Sequence, residues 1–421
     1  MSYERENRQA VISYFEQGSK GSALRPLLGV EVEHFVVYKD TLRAVPYDAG
    51  SAGGGVRDVL LYLSQFYPQK MYGIEGDLIG LSSPQASLTL EPAAQLEISI
   101  APFSSIETIV SVYCEFRAQV DPFLDAHGCM LVTQGYHPFE RALDLPLIPK
   151  QRYRFMNAYF RNKGTHGERM MRASASTQIS VDYADEADAV RKMRIAQALT
   201  PLFAYMTDNV MRFEGEVPKQ PLSRLVMWRD VDNDRCGSVP GIFDEGFGFG
   251  AYADWLLRTC PIFVTRASAD DPDGTALREV AGRTAASAYA DAPVSQDDIE
   301  HLLSMFWPDV RLKRFVEIRP ADALPVCAMA GYAALIKGIF YSPKALDRIE
   351  RALGVVGDVW PLDDGSTDRV AQAIREQGLQ ANMYGSSLQE WKALVFDLAR
   401  EALAAQESSY LDEFEQWMSE C

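Results

Sequence analysis

Residues 27–38 read LLGVEVEHFVVY, and the reading of this stretch decides the fold. It is dense in β-branched residues, so it reads as a strand. Side chains alternate faces along a strand, which puts Val30, Val32, His34 and Val36 on one face. Glu31, Glu33 and Phe35 fall on the other. Glutamate is disfavoured in strands, and Glu-x-Glu sets two like charges side by side on one face.

Three more segments repeat the pattern. Leu88–Ile100 (LTLEPAAQLEISI) reads as a strand, or a bent pair around Pro92, with Glu91, Gln95 and Glu97 in one parity and Leu90, Leu96, Ile98 and Ile100 opposite. Ser176–Tyr183 sets Gln178, Ser180 and Asp182 against Thr177, Ile179 and Val181. Leu312–Arg319, read as one strand, groups Arg311, Lys313, Phe315, Glu317 and Arg319 on a face. Any one of these alone is an ordinary amphipathic strand with a wet side. Together, the glutamate pairs imply that something positive sits between the strands. Hard cations such as Mg²⁺ take carboxylate oxygens and keep nucleotide phosphate oxygens as further ligands. Glu31, Glu33, Glu91, Glu97 and Glu317 would supply the oxygens, while Arg319 and Lys313 would face a transferring phosphoryl group.

Around these strands the chain reads as helices near 3–17, 56–67, 105–127, 150–162 and 185–208. A capping box at Ser295–Asp298 opens another, running to Phe306. Residues 267–274 (ASADDPDG) read as a surface loop, and nearly everything after Ala328 is helical. The class is α+β with one dominant mixed or antiparallel sheet.

The net charge of −17 and the absence of any Lys/Arg-rich run argue against a nucleic-acid partner. Neither G-x-x-x-x-G-K-[ST] nor G-x-G-x-x-G between a strand and a helix is present, so phosphates would be held through metal and arginine. Cys114, Cys129, Cys236, Cys260, Cys327 and Cys421 form no C-x-x-C pair and read as reduced thiols. The polar N-terminus lacks an apolar h-region, and no window is apolar enough to span a membrane. A cytoplasmic enzyme is expected.

Five blocks resemble the glutamate–cysteine ligases, in particular the plant-type branch also found in bacteria. They are Gly29–Phe35 (GVEVEHF), Ser87–Ser99 (SLTLEPAAQLEIS), Met170–Arg172 with Thr177–Asp182 (TQISVD), Arg224–Trp228 with Asp234–Gly237, and Arg311–Arg319 (RLKRFVEIR). They keep the family's order from about residue 27 to 327. The resemblance implies a glutamine-synthetase-like fold: an antiparallel sheet curved into a funnel, flanked by helices, with a helical C-terminal region. It implies one catalytic domain over 1–421, with a sheet-bearing core at 22–327 and a helical extension at 328–421. It further implies that ATP phosphorylates the glutamate γ-carboxylate and that the amine of cysteine attacks the acyl phosphate, giving γ-glutamylcysteine for glutathione or another small thiol. Another amino acid or amine as acceptor is the alternative.

Carried over residue by residue, Glu31, Glu33, Glu91, Glu97 and Glu317 match metal-facing carboxylates. Arg319 matches a phosphate-facing arginine, with Glu317 and Lys313 beside it in the same catalytic block. Arg172, Arg224, Trp228 and Arg235 fall in segments lining the amino-acid pocket, and Gln178 matches the family glutamine. Phe263 stands at a signature tyrosine and lacks its hydroxyl, and Ala93-Ala94 replaces Gly-Gly. His137, just after a strand, reads either as a nucleotide or metal contact at the sheet rim or as a satisfied loop histidine. The implied cofactors are ATP and Mg²⁺, the partners small molecules, and the assembly a monomer or homodimer.

Overall fold

The computed structural model describes residues 2–420 apart from 51–52, 74–75, 266–276, 279 and 281. The loop expected at 267–274 lies outside the described residues. Strand β1, Leu28–Tyr38, is the spine of the fold. Around it lie β2 (Gln69–Tyr72), β3 (Leu78–Ser82), β4 (Ala86–Leu90), β5 (Leu96–Phe103), β6 (Cys129–Val132) and β7 (Thr177–Val181). Strands β8 (Val310–Leu312) and β9 (Val316–Ile318) complete a nine-stranded sheet. The order is β8-β9-β7-β1-β5-β4-β3-β2, with β6 also paired to β1. Every pairing in it is antiparallel.

The alternation read from the sequence decides which face is core. Val30, Val32, Val36, Leu96, Ile98, Ile179 and Val181 are buried on the face packed by helices Ile106–Ala126 and Val326–Phe340, and Leu88 of β4 is buried on the same side of the sheet. His34 shares that face and is satisfied there: its ring nitrogens meet the Leu96 carbonyl at 3.0 Å and the Tyr113 hydroxyl at 2.8 Å. Burial pushes its value down to about 3, so it is a neutral core histidine.

Two element readings need correction. The segment expected as one strand over 312–319 is the β8–β9 hairpin, turning where the Lys313 amide donates to the Phe315 carbonyl. Arg311 faces Glu317 across that hairpin, so the shared face survives the change of topology. The helix opened by the Ser295 capping box runs Gln296–Leu303 and stops short of Phe306. Of the two readings for 88–100, the bent pair is the one adopted: Glu91 N–H donates to Gln95 O at 3.0 Å and closes the β4–β5 turn. Among the described residues no single helix is long and apolar enough to cross a membrane.

The β4–β5 turn places Ala94 at φ +67°, in the left-handed region. A Cβ there is strained by about 1–2 kcal/mol, and glycine removes the strain. Ala94→Gly is therefore expected to keep or raise the melting temperature, as thermal denaturation would show. A clear drop would mean that Ala94 makes a packing contribution larger than its strain.

Candidate active site

The opposite face of the sheet is a cavity of about 570 Å³. β1 contributes Glu31 and Glu33, β5 Glu97, the β4–β5 turn Glu91 and Gln95, and β7 Gln178. Register makes Glu33 the direct partner of Glu97, while Glu31 lies between Ser99 and Gln178. One oxygen each from Glu31, Glu33 and Glu97 can be chosen so that all lie within 4.8 Å of one another.

Hydroxyls and amides hold this triad in place. Glu33 accepts from the Ser176 amide at 2.9 Å, the Ser176 hydroxyl at 2.8 Å and Gln178 Nε2 at 3.2 Å. Glu97 accepts from Thr89 Oγ1 at 2.6 Å and Ser99 Oγ at 3.1 Å. Among the described residues, neither the triad nor Glu91 has an ion-pair partner within 4 Å. Burial, then neighbouring carboxylates, push Glu31 up to about 8 and Glu91 and Glu97 up to about 7; Glu33 is raised for the same reasons. Such a donor set fits a hard divalent cation, which would supply the missing positive charge.

Glu317 sits differently. Its carboxylate accepts from Arg311 Nε at 2.6 Å, Arg319 Nη1 at 2.9 Å and Lys313 Nζ at 2.9 Å. Burial pushes its value up, but Arg311, then Lys313 and Arg319, outweigh that and hold it well below the carboxylate range. Glu317 lines an adjoining compartment of about 290 Å³ that shares Glu31, Gln178 and Lys313 with the main cavity. Gln178 joins the two regions, donating to Glu33 and accepting from Arg319. A chain of polar contacts thus runs from the triad to the arginine row.

Helix Ser223–Trp228 brings Arg224 and Trp228 into the same cavity. Arg224 Nη1 donates to the carbonyls of Pro320 and Ala321 at 3.3 Å, and its Nε has no partner. The Trp228 indole N–H is also unpartnered.

Besides Glu317, which lines the adjoining compartment, four expected site residues are not brought into the cavity lining. Arg172 donates to the Leu145 carbonyl and to Asn157 Oδ1. Arg235 is fully buried against Asp232 at 2.7 Å, Tyr159 and the Cys260 carbonyl. Phe263 packs between His301 and Phe155. His137 Nδ1 accepts from the amides of Phe139 and Glu140 while its ring meets Phe35, the behaviour of a loop histidine. Lining residues that the sequence reading passed over include Lys150, Arg152, Tyr153, Met156 and Arg311. Arg311 was visible in its block, and its pairing with Glu317 follows from strand parity. The others sit on a helix whose aromatic, basic composition carries no distinctive spacing.

A nine-stranded antiparallel sheet with buried carboxylates beside an arginine row defines a carboxylate–amine ligase with a glutamine-synthetase-like fold. The chain belongs to glutamate–cysteine ligase family 2, which matches residues 27–375. It is 30 % identical over 386 residues to glutamate–cysteine ligase B of Oryza sativa subsp. japonica, covering 88 % of this chain and 75 % of that one. It is 30 % identical over 399 residues to the Arabidopsis thaliana enzyme, covering 94 % and 73 %. A crystal structure of glutamate–cysteine ligase from Francisella tularensis in complex with AMP shares the fold, with TM-score 0.54, 12 % identity and coverage of 94 % and 81 %.

The two plant relatives are chloroplastic, which overturns the cytoplasmic expectation. That expectation rested on a missing h-region and a missing spanning helix. Neither feature separates a cytoplasmic enzyme from one that works in a plastid.

The raised carboxyls carry a sign that can be measured. A carboxyl raised by folding keeps its proton after the unfolded chain has lost its own, so stability from these groups is present at low pH and falls as pH rises. The window runs from the ordinary 4.5 up to about 8. Metal-free protein is expected to lose melting temperature across that window, and Mg²⁺ to restore more of it at its upper end than at its lower. Equal Mg²⁺ stabilisation at both ends, by differential scanning fluorimetry, would contradict the assignment.

Proposed function

We propose that this protein uses ATP to join the γ-carboxylate of glutamate to the amine of cysteine, giving γ-glutamylcysteine. The observation that carries the reading is the uncompensated triad of Glu31, Glu33 and Glu97, tied through Gln178 to the Arg319 row. The plant relatives carry cysteine in their names, which favours it over another acceptor.

The reaction has two transfers. The γ-phosphoryl of ATP moves to an oxygen of the glutamate γ-carboxylate, and ADP leaves. The cysteine nitrogen then bonds to the γ-carbonyl carbon, inorganic phosphate leaves, and the amine gives up a proton. Glu31, Glu33 and Glu97, with Glu91 beside them, would hold Mg²⁺, and the chemistry it supplies when bound is charge neutralisation at the phosphates. Arg319, Arg311 and Lys313 are fixed by Glu317 before substrate arrives, so their positive charge needs no reorganisation during transfer. Glu317 on this reading orients that row rather than donating to metal. Arg224 and Trp228 offer unpartnered N–H groups for a substrate carboxylate. Core and C-terminal helices act as one catalytic unit, because helix Val326–Phe340 packs behind β1 and β7.

Purified protein is expected to release ADP with ATP, Mg²⁺ and glutamate, faster with cysteine, and to form γ-glutamylcysteine detectable by mass spectrometry. Glu97→Gln is expected to lower kcat at least ~100-fold with an unchanged circular dichroism spectrum. Full activity in Glu97→Gln would sink the metal assignment.

A further inference from the structure

The cavity is lined by more cations than the phosphoryl chemistry uses. Arg311, Lys313 and Arg319 are committed to Glu317. Arg224 is committed in part to backbone carbonyls. Arg314 bonds Gln17 and Gln296 and lies over the Tyr14 ring. Lys150 and Arg152 remain, at the start of helix Gln151–Phe160, on the helical rather than the sheet wall.

Neither has a carboxylate within 4 Å among the described residues. Among the described residues the one side-chain bond of Lys150 is to the Tyr153 hydroxyl at 3.3 Å, over whose ring its Nζ sits at 4.7 Å. Arg152 is held from one side only: Nη2 donates to the carbonyl and hydroxyl of Ser304, and the guanidinium stands 5.8 Å from the Phe263 ring centre. Its Nε is buried with no partner. A guanidinium fixed in this way presents an open donor to an incoming carboxylate, and an ammonium two residues away adds a second charge. Met156, Met170 and Met171 line the same cavity, apolar surface suited to the body of a small amino acid.

Resting on the ligase reading above, we propose that Lys150 and Arg152 bind the α-carboxylate of an amino-acid substrate. Both substrates carry such a group, and in neither does it react. Arg224 with Trp228 provides one place for an unreactive carboxylate, and Lys150 with Arg152 provides a second.

The test compares each substrate with its analogue lacking the α-carboxylate: cysteine with cysteamine for the acceptor, and glutamate with 4-aminobutyrate for the donor. Ratios of kcat/KM are measured for wild type, Lys150→Met, Arg152→Gln and Lys150→Arg. Either Lys150→Met or Arg152→Gln is expected to reduce one ratio at least tenfold, with Lys150→Arg recovering part of the loss. Collapse of the cysteine ratio assigns the site to the acceptor, and collapse of the glutamate ratio assigns it to the donor. Both ratios unchanged in folded variants would overturn the proposal, whether activity falls uniformly or the KM for ATP rises instead. Wild type that makes no γ-glutamylcysteine would refute the ligase reading by itself. Calorimetric titration of both pairs, glutamate with 4-aminobutyrate and cysteine with cysteamine, into the same proteins still reads the carboxylate site: no selective loss of the carboxylate-bearing member of either pair would overturn it.

Discussion

Everything at the site depends on one cross-strand pair: half-buried Glu33 of β1 directly opposite buried Glu97 of β5, with Glu31 beside them. Like charges facing across a sheet repel, and burial removes the water that would screen them. The pair persists because each carboxylate is held by neutral donors. Ser176 and Gln178 hold Glu33, while Thr89 and Ser99 hold Glu97. None of these donors cancels charge. The fold therefore fixes the geometry of the acids and leaves their electrostatics unresolved until protons or a cation arrive. The apolar face of the same strands, packed on two long helices, supplies the rigidity that keeps the acids together.

Charge is distributed over this face with a clear division of labour. Among the described residues the triad has no cation within ion-pair distance, whereas Glu317 has three cations on one carboxylate. Moving Glu317 into the triad would add a fourth acid there and strip the row of its counter-charge. Removing it would leave Arg311, Lys313 and Arg319 to repel one another. Gln178 lies between the two clusters as an uncharged link that donates to the acid and accepts from the arginine. A charged residue there would favour one cluster at the expense of the other.

Strand parity made most of this legible in the sequence. Glu31, Glu33, Glu97, Gln178, Arg319 and Lys313 all lie where alternation places them, and even the mistaken single strand over 312–319 kept the right face because a hairpin preserves parity. Composition gave less help with Glu317, because a carboxylate that binds metal and one that binds arginine look alike until neighbours are known. Arg172, Arg235 and Phe263 failed for a related reason. Proximity in a motif does not say which way a side chain turns from a helix or loop, and each turns toward local partners. Lys150 and Arg152 were missed because basic residues on an aromatic helix normally face water, and only the cavity reveals that these two do not.

The central claim is that the buried carboxylates exist to hold a divalent cation. Mn²⁺ titration followed by electron paramagnetic resonance, on wild type and Glu33→Gln, tests it without relying on turnover. Wild type is expected to bind Mn²⁺ and Glu33→Gln to bind at least tenfold more weakly, with the variant's metal-free melting temperature equal or higher because a repulsion is gone. Equal Mn²⁺ binding by the two proteins would contradict it.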